Sequence, residues 1–438
     1  MNLIVDQKKF IQKIYFLLLL ILLIKIWGFF TLSENVAITR VLKVFMRIGM
    51  TVSLYYLNNY IVKKTKKISL QLWNPLSFYF YLLYLLLGLI SIMWSTDPGY
   101  SMLQWVMATE SLVFAFLLIK ILLTIKYNFS ESSVRISFLF AVSCFSILLV
   151  FVVGKFFFPS VFFRLVQGGE ESRLGGNLMN PNELGMLSSL GLGTCFLELR
   201  YAKTKWWVFL FIGVLLYALI ITGSRSSLVG IFILIIYSVY HSSNRFLKLG
   251  TVVGAIAAFP VVVAKLFIRQ GGFDEVLSMT GRLPFWKALI TEDLPREPLF
   301  GFGFMRIAYK DTFESVHTYA GHMTHNTFIQ VLMNLGFVGL FIVLLQIACT
   351  FYSFFQTNDF YKKTFFLSLF IPIVINSFTE FGIFGEANYG ILFYQILICW
   401  LMIEKKKSLV EIKEMNRIEA ENSLSKRFRK RVESKNNY

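Results

Sequence analysis

Two short segments of the 438-residue chain carry residue types suited to anion binding and proton transfer. The first reads Thr222-Gly223-Ser224-Arg225-Ser226-Ser227. An arginine between two apolar runs at a membrane boundary needs a partner. Serines that open a helix bring converging backbone N–H groups to the same place. Arginine plus a helix N-terminus makes an anion site, and phosphate is its natural guest. A structural arginine reaching to lipid phosphate fits the same position. The second segment reads Gly321-His322-Met323-Thr324-His325-Asn326-Thr327. His325 directly precedes an apolar run, which sets it at the same depth as Arg225. An imidazole there can take a proton from a hydroxyl nucleophile, or it can be an ordinary interfacial histidine.

Two further segments bear on the same face. Gly175-Gly176-Asn177-Leu178-Met179-Asn180-Pro181-Asn182-Glu183 combines turn-forming glycines with an Asn-Pro helix start. Its amides can hydrogen-bond sugar hydroxyls or cap the helix. Glu183 is a rival general base, although a first-turn carboxylate favoured by the helix dipole explains it equally. A loop of roughly sixty residues, longer than an ordinary connector, contains Gly281-Arg282-Leu283-Pro284-Phe285-Trp286 and Pro298-Leu299-Phe300-Gly301-Phe302-Gly303. Phe285, Trp286 and the Phe–Gly repeats suit either an amphipathic interfacial segment or a stacking surface for a sugar ring. The outer segments hold no Asp-x-Asp pair; Asp274-Glu275 and Glu292-Asp293 are adjacent residues. No metal and no other cofactor is expected.

These segments need a scaffold, and the composition says which. The chain is 56% hydrophobic and only 16% charged, too few charges to coat a soluble protein of this size. Its apolar residues come in long runs, which excludes an alternating outer-membrane barrel. A helix needs about 20 apolar residues to cross a bilayer, and about twelve stretches qualify. They lie at 12–31, 41–62, 75–94, 102–125, 136–154, 184–199, 206–222, 226–241, 249–267, 327–355, 364–384 and 388–403. The expected fold is therefore all-α: a polytopic integral membrane protein with a long outer-face loop, 268–326, between the ninth and tenth spans. Residues 1–403 form the transmembrane domain and 404–438 a cytoplasmic basic tail.

The net charge of +18 sorts by loop. Lys63, Lys64, Arg135, Arg200, Lys205, Lys362 and Lys363 all fall on one set of connections, together with the tail. The positive-inside rule then places the N- and C-termini in the cytoplasm. The tail, with Lys426-Arg427-Phe428-Arg429-Lys430-Arg431, suits a helix against the anionic inner leaflet; no nucleic-acid partner is expected. Cys144, Cys195, Cys349 and Cys399 fall inside spans as apolar filler, without a disulfide. Lys43 and Arg47 share one face of the second span. They either reach the outer boundary or line a cavity with Glu110 as partner.

Taken together and in order, these segments resemble the O-antigen ligase/polymerase family of bacterial membrane glycosyltransferases. The resemblance rests on Gly175-Gly176 with Asn180-Pro181-Asn182, Ser224-Arg225-Ser226, and Gly281-Arg282 followed by Trp286. It continues through Pro298 with Gly301 and Gly303 to His325-Asn326 followed by Gly336 and Gly339. The turn Trp94-Ser95-Thr96-Asp97-Pro98 also fits, so the likeness covers 75–400. It implies a GT-C-like, metal-independent transfer at the outer face of the cytoplasmic membrane. The donor would be a glycan on undecaprenyl diphosphate and the acceptor a sugar hydroxyl. Arg225 and Arg282 would hold the diphosphate, and His325 would position or deprotonate the acceptor. Asn182, Glu183, Trp286, His322 and Asn326 are expected around the acceptor or its sugar. Membrane lipids, a flippase and a chain-length regulator are the expected partners. Polymerisation of lipid-linked repeat units is the leading expectation. A ligase moving finished glycan to lipid A core or another acceptor is the enzymatic alternative, and a polysaccharide or lipid transporter the non-enzymatic one.

Overall fold

The computed structural model describes residues 2–65, 68–129, 135–166, 171–202, 204–240, 282–304, 324–380 and 382–406, with isolated positions at 245, 248–249 and 252–253. Its long helices are α1 Asn2–Trp27, α2 Val36–Lys64, α3 Leu76–Ile90, α4 Pro98–Asn128 and α5 Ile136–Phe157. After the one-turn helix α6 Pro159–Phe162 come α7 Pro181–Tyr201, α8 Trp206–Thr222 and α9 Arg225–Tyr240. The short helix α10 Arg282–Ala288 precedes α11 Thr327–Gln356, α12 Phe360–Ser377 and α13 Tyr389–Met402. Each expected span except the ninth coincides with a helix; 249–267 lies almost entirely outside the described residues, as does the tail beyond 406.

Among the described residues, five helices are long and apolar enough to cross a membrane: Gln7–Trp27, Leu76–Trp94, Pro98–Asn128, Ile136–Phe157 and Thr327–Gln356. Three shorter ones, α8, α9 and α13, are apolar as well. The described residues are mostly helical, with two small antiparallel ladders among them that the apolar pattern does not announce. β1 Leu70–Leu72 pairs with β4 Ile403–Lys405, and β2 Phe163–Val166 pairs with β3 Glu171–Leu174. The first ladder absorbs the start of the expected tail. The four cysteines are free thiols, three of them buried.

The connections gather at the two ends of the bundle. At one end Thr31 donates its N–H to Leu178 (2.8 Å) and Thr96 to Phe302 (3.2 Å). At the other, Arg135 Nη1 donates to the Tyr201 carbonyl (2.7 Å) and Trp73 N–H to Met402 (2.7 Å). The first end carries Arg225, Arg282 and His325; the second carries the basic connections.

Gly336 interrupts α11 with φ +62°, a conformation open to glycine at little cost. The break frees backbone groups that apolar surroundings would penalise. The 298–304 segment satisfies them: Phe337 and Val338 donate to Pro298 and Leu299, while Phe302 and Gly303 donate to Met333 and Asn334. The Phe–Gly repeats are thus a plug for a broken helix. Phe285, Trp286, Leu289, Leu294 and Phe302 form a second small core around Leu332 and Met333, so the expected interfacial or sugar-stacking face at 285–286 is instead internal packing.

Inside the bundle the expected Arg47–Glu110 partnership is present, at 3.7 Å, and Lys25 joins it. Lys25 Nζ is fully buried, ion-pairs with Glu110, and donates to Thr51 Oγ1 and the Arg47 carbonyl, both at 3.3 Å. Arg47 Nη2 donates to Met107 O and Ser111 Oγ, both at 2.9 Å. The cluster locks α1, α2 and α4 together. Removing one partner of such a group leaves uncompensated buried charge, which costs on the order of 3–5 kcal/mol. Glu110→Ala should therefore lower the thermal midpoint of the detergent-solubilised protein sharply, whereas Cys349→Ser should not; equal midpoints would remove the cluster from the stability of the bundle.

Candidate active site

The side chain at the centre of the site is Glu380. The expected eleventh span ran to 384, but α12 stops at Ser377, so Glu380 lies beyond the helix in the loop to α13. It is 4% exposed. Its Oε1 accepts from Asn182 Nδ2 at 2.7 Å and from Arg282 Nη2 at 3.2 Å. Its Oε2 lies 2.7 Å from His325 Nδ1. Three residues scattered over 144 positions therefore share one carboxylate. Burial alone would push the pKa of the Glu380 carboxyl up, but His325, Arg282 and Asn182 together hold it below the usual carboxylate range.

Local structure presents each donor. Asn180 caps α7, accepting from the Asn182 N–H at 2.9 Å, and Pro181 takes the first helical position, where a missing N–H costs nothing. Asn182 then points its amide two ways: Oδ1 accepts from Arg173 Nη2 at 2.8 Å while Nδ2 reaches Glu380. Both amide heavy atoms thus have protein partners, so Asn182 is a bridge between side chains. Asn326 is the N-cap of α11, accepting from Phe328 and Ile329 N–H, and its Nδ2 donates to the Phe378 carbonyl at 3.2 Å. It too is committed to the protein.

His325 sits at φ +50°, a left-handed conformation rare outside glycine. The backbone on both sides imposes it. Trp286 Nε1 donates to the Thr324 carbonyl at 2.7 Å, and the cap fixes Asn326. Trp286, expected against a sugar, is 9% exposed and instead positions the residue before His325. With Glu380 ionised and accepting from Nδ1–H, the basic lone pair of the imidazole falls on Nε2. His322 lies outside the described residues.

The hinge comes to the same place. Gly223 ends α8 at φ +60°, and Arg225 opens α9, half-buried. Ser226 and Ser227 hydroxyls donate to Asn376 Oδ1 at 2.9 and 3.2 Å, and the Glu380 N–H donates to the Asn376 carbonyl at 2.7 Å. Arg173 Nε donates to Thr222 O at 2.6 Å, tying the hinge to Asn182 as well. A Cβ on Gly185 would stand 2.4 Å from Ser224 Cβ, so α7 and the hinge touch only because that position is bare. Arg282 also donates Nη1 to the Thr379 carbonyl, while its buried Nε has no hydrogen-bond partner among the described residues. That orphan N–H beside Glu380 is a donor suited to an anionic oxygen.

Glu183 occupies the first turn of α7, as the helix-dipole reading required. Burial, then the Glu380 and Glu386 carboxylates, push it up to about 7, against the pull of Lys43. Sequence reasoning missed Glu380, Arg173 and Asn376. The signal for Glu380 was present, since a carboxylate inside an expected span needs a partner.

Fold and site define a helical membrane-type protein with a histidine–carboxylate pair and arginines gathered at one end of its bundle. Residues 209–344 match the family model described as O-antigen ligase, which bears out the resemblance read from the motifs. The matched segment contains Arg225, Arg282 and His325; Asn182 and Glu380 fall on either side of it. The match supports membrane glycan transfer of the O-antigen ligase/polymerase type. No curated protein matches the chain.

The raised Glu183 carboxyl favours its protonated form in the fold. Its contribution to stability is complete below the usual 4.5 and is lost as pH rises to about 7. Glu183→Gln should abolish that loss, flattening the thermal midpoint between pH 5 and 8 relative to the parent. Parallel curves would show that Glu183 titrates as an ordinary carboxyl.

Proposed function

We propose that the protein transfers a glycan from an undecaprenyl-diphosphate-linked donor to a sugar hydroxyl at the outer face of the bacterial cytoplasmic membrane, polymerising repeat units of a cell-surface polysaccharide. The observation that carries the reading is the contact of Glu380 with both His325 and Arg282. It joins a proton acceptor to an arginine with a buried orphan donor.

In this mechanism Glu380 orients His325 through Nδ1, and Nε2 takes the proton of the attacking hydroxyl. The new bond joins the acceptor oxygen to the anomeric carbon as the bond from that carbon to the diphosphate oxygen breaks. The lipid diphosphate leaves with its pair of electrons. Arg282, and Arg225 at the N-terminus of α9, balance the growing negative charge, so no metal is required. Arg282 thereby has two tasks: it braces Glu380 in the resting site and offers Nε to the leaving group.

The same reading places the site end of the bundle outside and the basic end in the cytoplasm, with both termini inside. Parity supports about twelve crossings: α9 runs from the site end to the basic end, and α10 begins again at the site end. A flippase supplying donor and a chain-length regulator are the partners this activity calls for.

The purified protein in proteoliposomes, given undecaprenyl-diphosphate repeat units, should yield longer lipid-linked chains and should do so in excess EDTA. Transfer only of finished chains onto a different acceptor would instead make it a ligase. Loss of a general base and of its orienting carboxylate typically costs 10²–10⁴-fold. His325→Ala and Glu380→Gln should each fall in about that range, and Arg282→Ala or Arg225→Ala should slow the reaction without abolishing the fold. Normal elongation by both His325→Ala and Glu380→Gln would overturn the assignment.

A further inference from the structure

Exposed aromatic surface continues past the end of α5 onto a segment that packs against the bundle. Phe156, Phe157 and Phe158 point outward, followed by Val161 and Leu165; Phe157 is 72% and Leu165 67% exposed. The opposite side of the same segment is pinned. Phe162 packs edge-on against Phe151 at 5.3 Å, and a Cβ on Gly154 would stand 2.4 Å from its ring. Gly175 and Asn177 N–H groups donate to the Phe162 and Val161 carbonyls at 2.9 and 3.3 Å. The outward rings are thus held in place by the fold, and apolar surface fixed in water is unfavourable.

Two observations say what covers this ledge. It is continuous with the outward face of α5, where Val150 and Val153 are exposed on a helix long and apolar enough to span a membrane. It is also flanked by cations. Lys155 Nζ lies over the Phe156 and Tyr217 rings at 4.6 and 4.3 Å. Arg164 is exposed and stands directly opposite Arg173 in the β2–β3 register. Arg173 turns its guanidinium to Thr222 O and Asn182 Oδ1, which leaves Arg164 as the exposed cation of the two. Rings on one side, lysine and arginine along the edge, and continuity with a spanning helix are the features of an interfacial element.

We propose that 155–165 is a membrane-interface anchor. Its rings and Leu165 lie at the acyl–headgroup boundary of a phospholipid bilayer, and Lys155 and Arg164 bind the lipid phosphates. The consequence reaches the site, because β3 leads from this anchor to Arg173, which holds Thr222 O and Asn182 Oδ1. The anchor therefore fixes the depth of the Asn182–Glu380–His325 group at the headgroup level. This inference does not depend on glycan transfer.

The test uses the full chain in nanodiscs of phosphatidylethanolamine and phosphatidylglycerol. A spin label is placed at Leu165→Cys or Phe157→Cys in a Cys349→Ser background, with thermal midpoints checked against the parent. Power saturation should give several-fold greater collision with oxygen than with a water-soluble nickel chelate at both positions. Greater nickel access would mark a water-exposed loop, and low access to both would mean that a protein surface covers the ledge; either result overturns the proposal. Lys155→Gln with Arg164→Gln should lower the oxygen-to-nickel ratio at position 165. An unchanged ratio would refute the phosphate contacts.

Discussion

A carboxylate withdrawn from water must be surrounded by donors or it will not stay charged, and Glu380 meets that demand with three side chains from three different parts of the chain. Asn182 opens α7, Arg282 opens α10, and His325 precedes α11. Each therefore sits at a helix start, where the chain turns and a side chain can point across the end of the bundle. Because the anion needs all of them, it also fixes where those helix ends stand relative to one another. The imidazole tautomer, the amide orientation of Asn182 and the direction of the Arg282 guanidinium follow from that one requirement.

Around this centre the backbone is over-determined. The left-handed conformation of His325 is unfavourable by itself, and it persists because Trp286 grips Thr324 on one side and the Asn326 cap fixes the other. The hinge carrying Arg225 is held by Asn376, whose side chain serves the serines and whose carbonyl holds Glu380. One asparagine thus links the diphosphate-binding candidate to the carboxylate. The Gly336 break serves the same end, since Phe302 of the segment that repairs it packs in the core that holds Trp286.

Much was legible from the residues alone. Long apolar runs announced the helices, and the order of Arg225, Arg282 and His325 announced a shared boundary. The cost of buried charge made Glu110 one of two readings for Arg47, the other being the outer boundary, and the structure has the pair. Roles that depend on which way a side chain points were not legible. Trp286 and the Phe–Gly repeats have the composition of a sugar platform or interfacial helix, yet Trp286, Phe302 and Phe304 are buried in the protein. Phe156, Phe157 and Phe158, just past the expected 136–154 span, are exposed instead. Asn182 and Asn326 have amides fit for sugar hydroxyls, yet the protein itself occupies them.

The chain's own pattern determined a helical bundle with its chemistry at one end, because burying apolar runs and sorting charge are local properties of short windows. Only the tertiary structure decided that Glu380 meets Asn182, Arg282 and His325 there. Its role arises from the ending of α12 at Ser377 and from contacts spanning 55, 98 and 198 positions. Such pairings depend on how helix ends pack in space, which no window of the sequence contains.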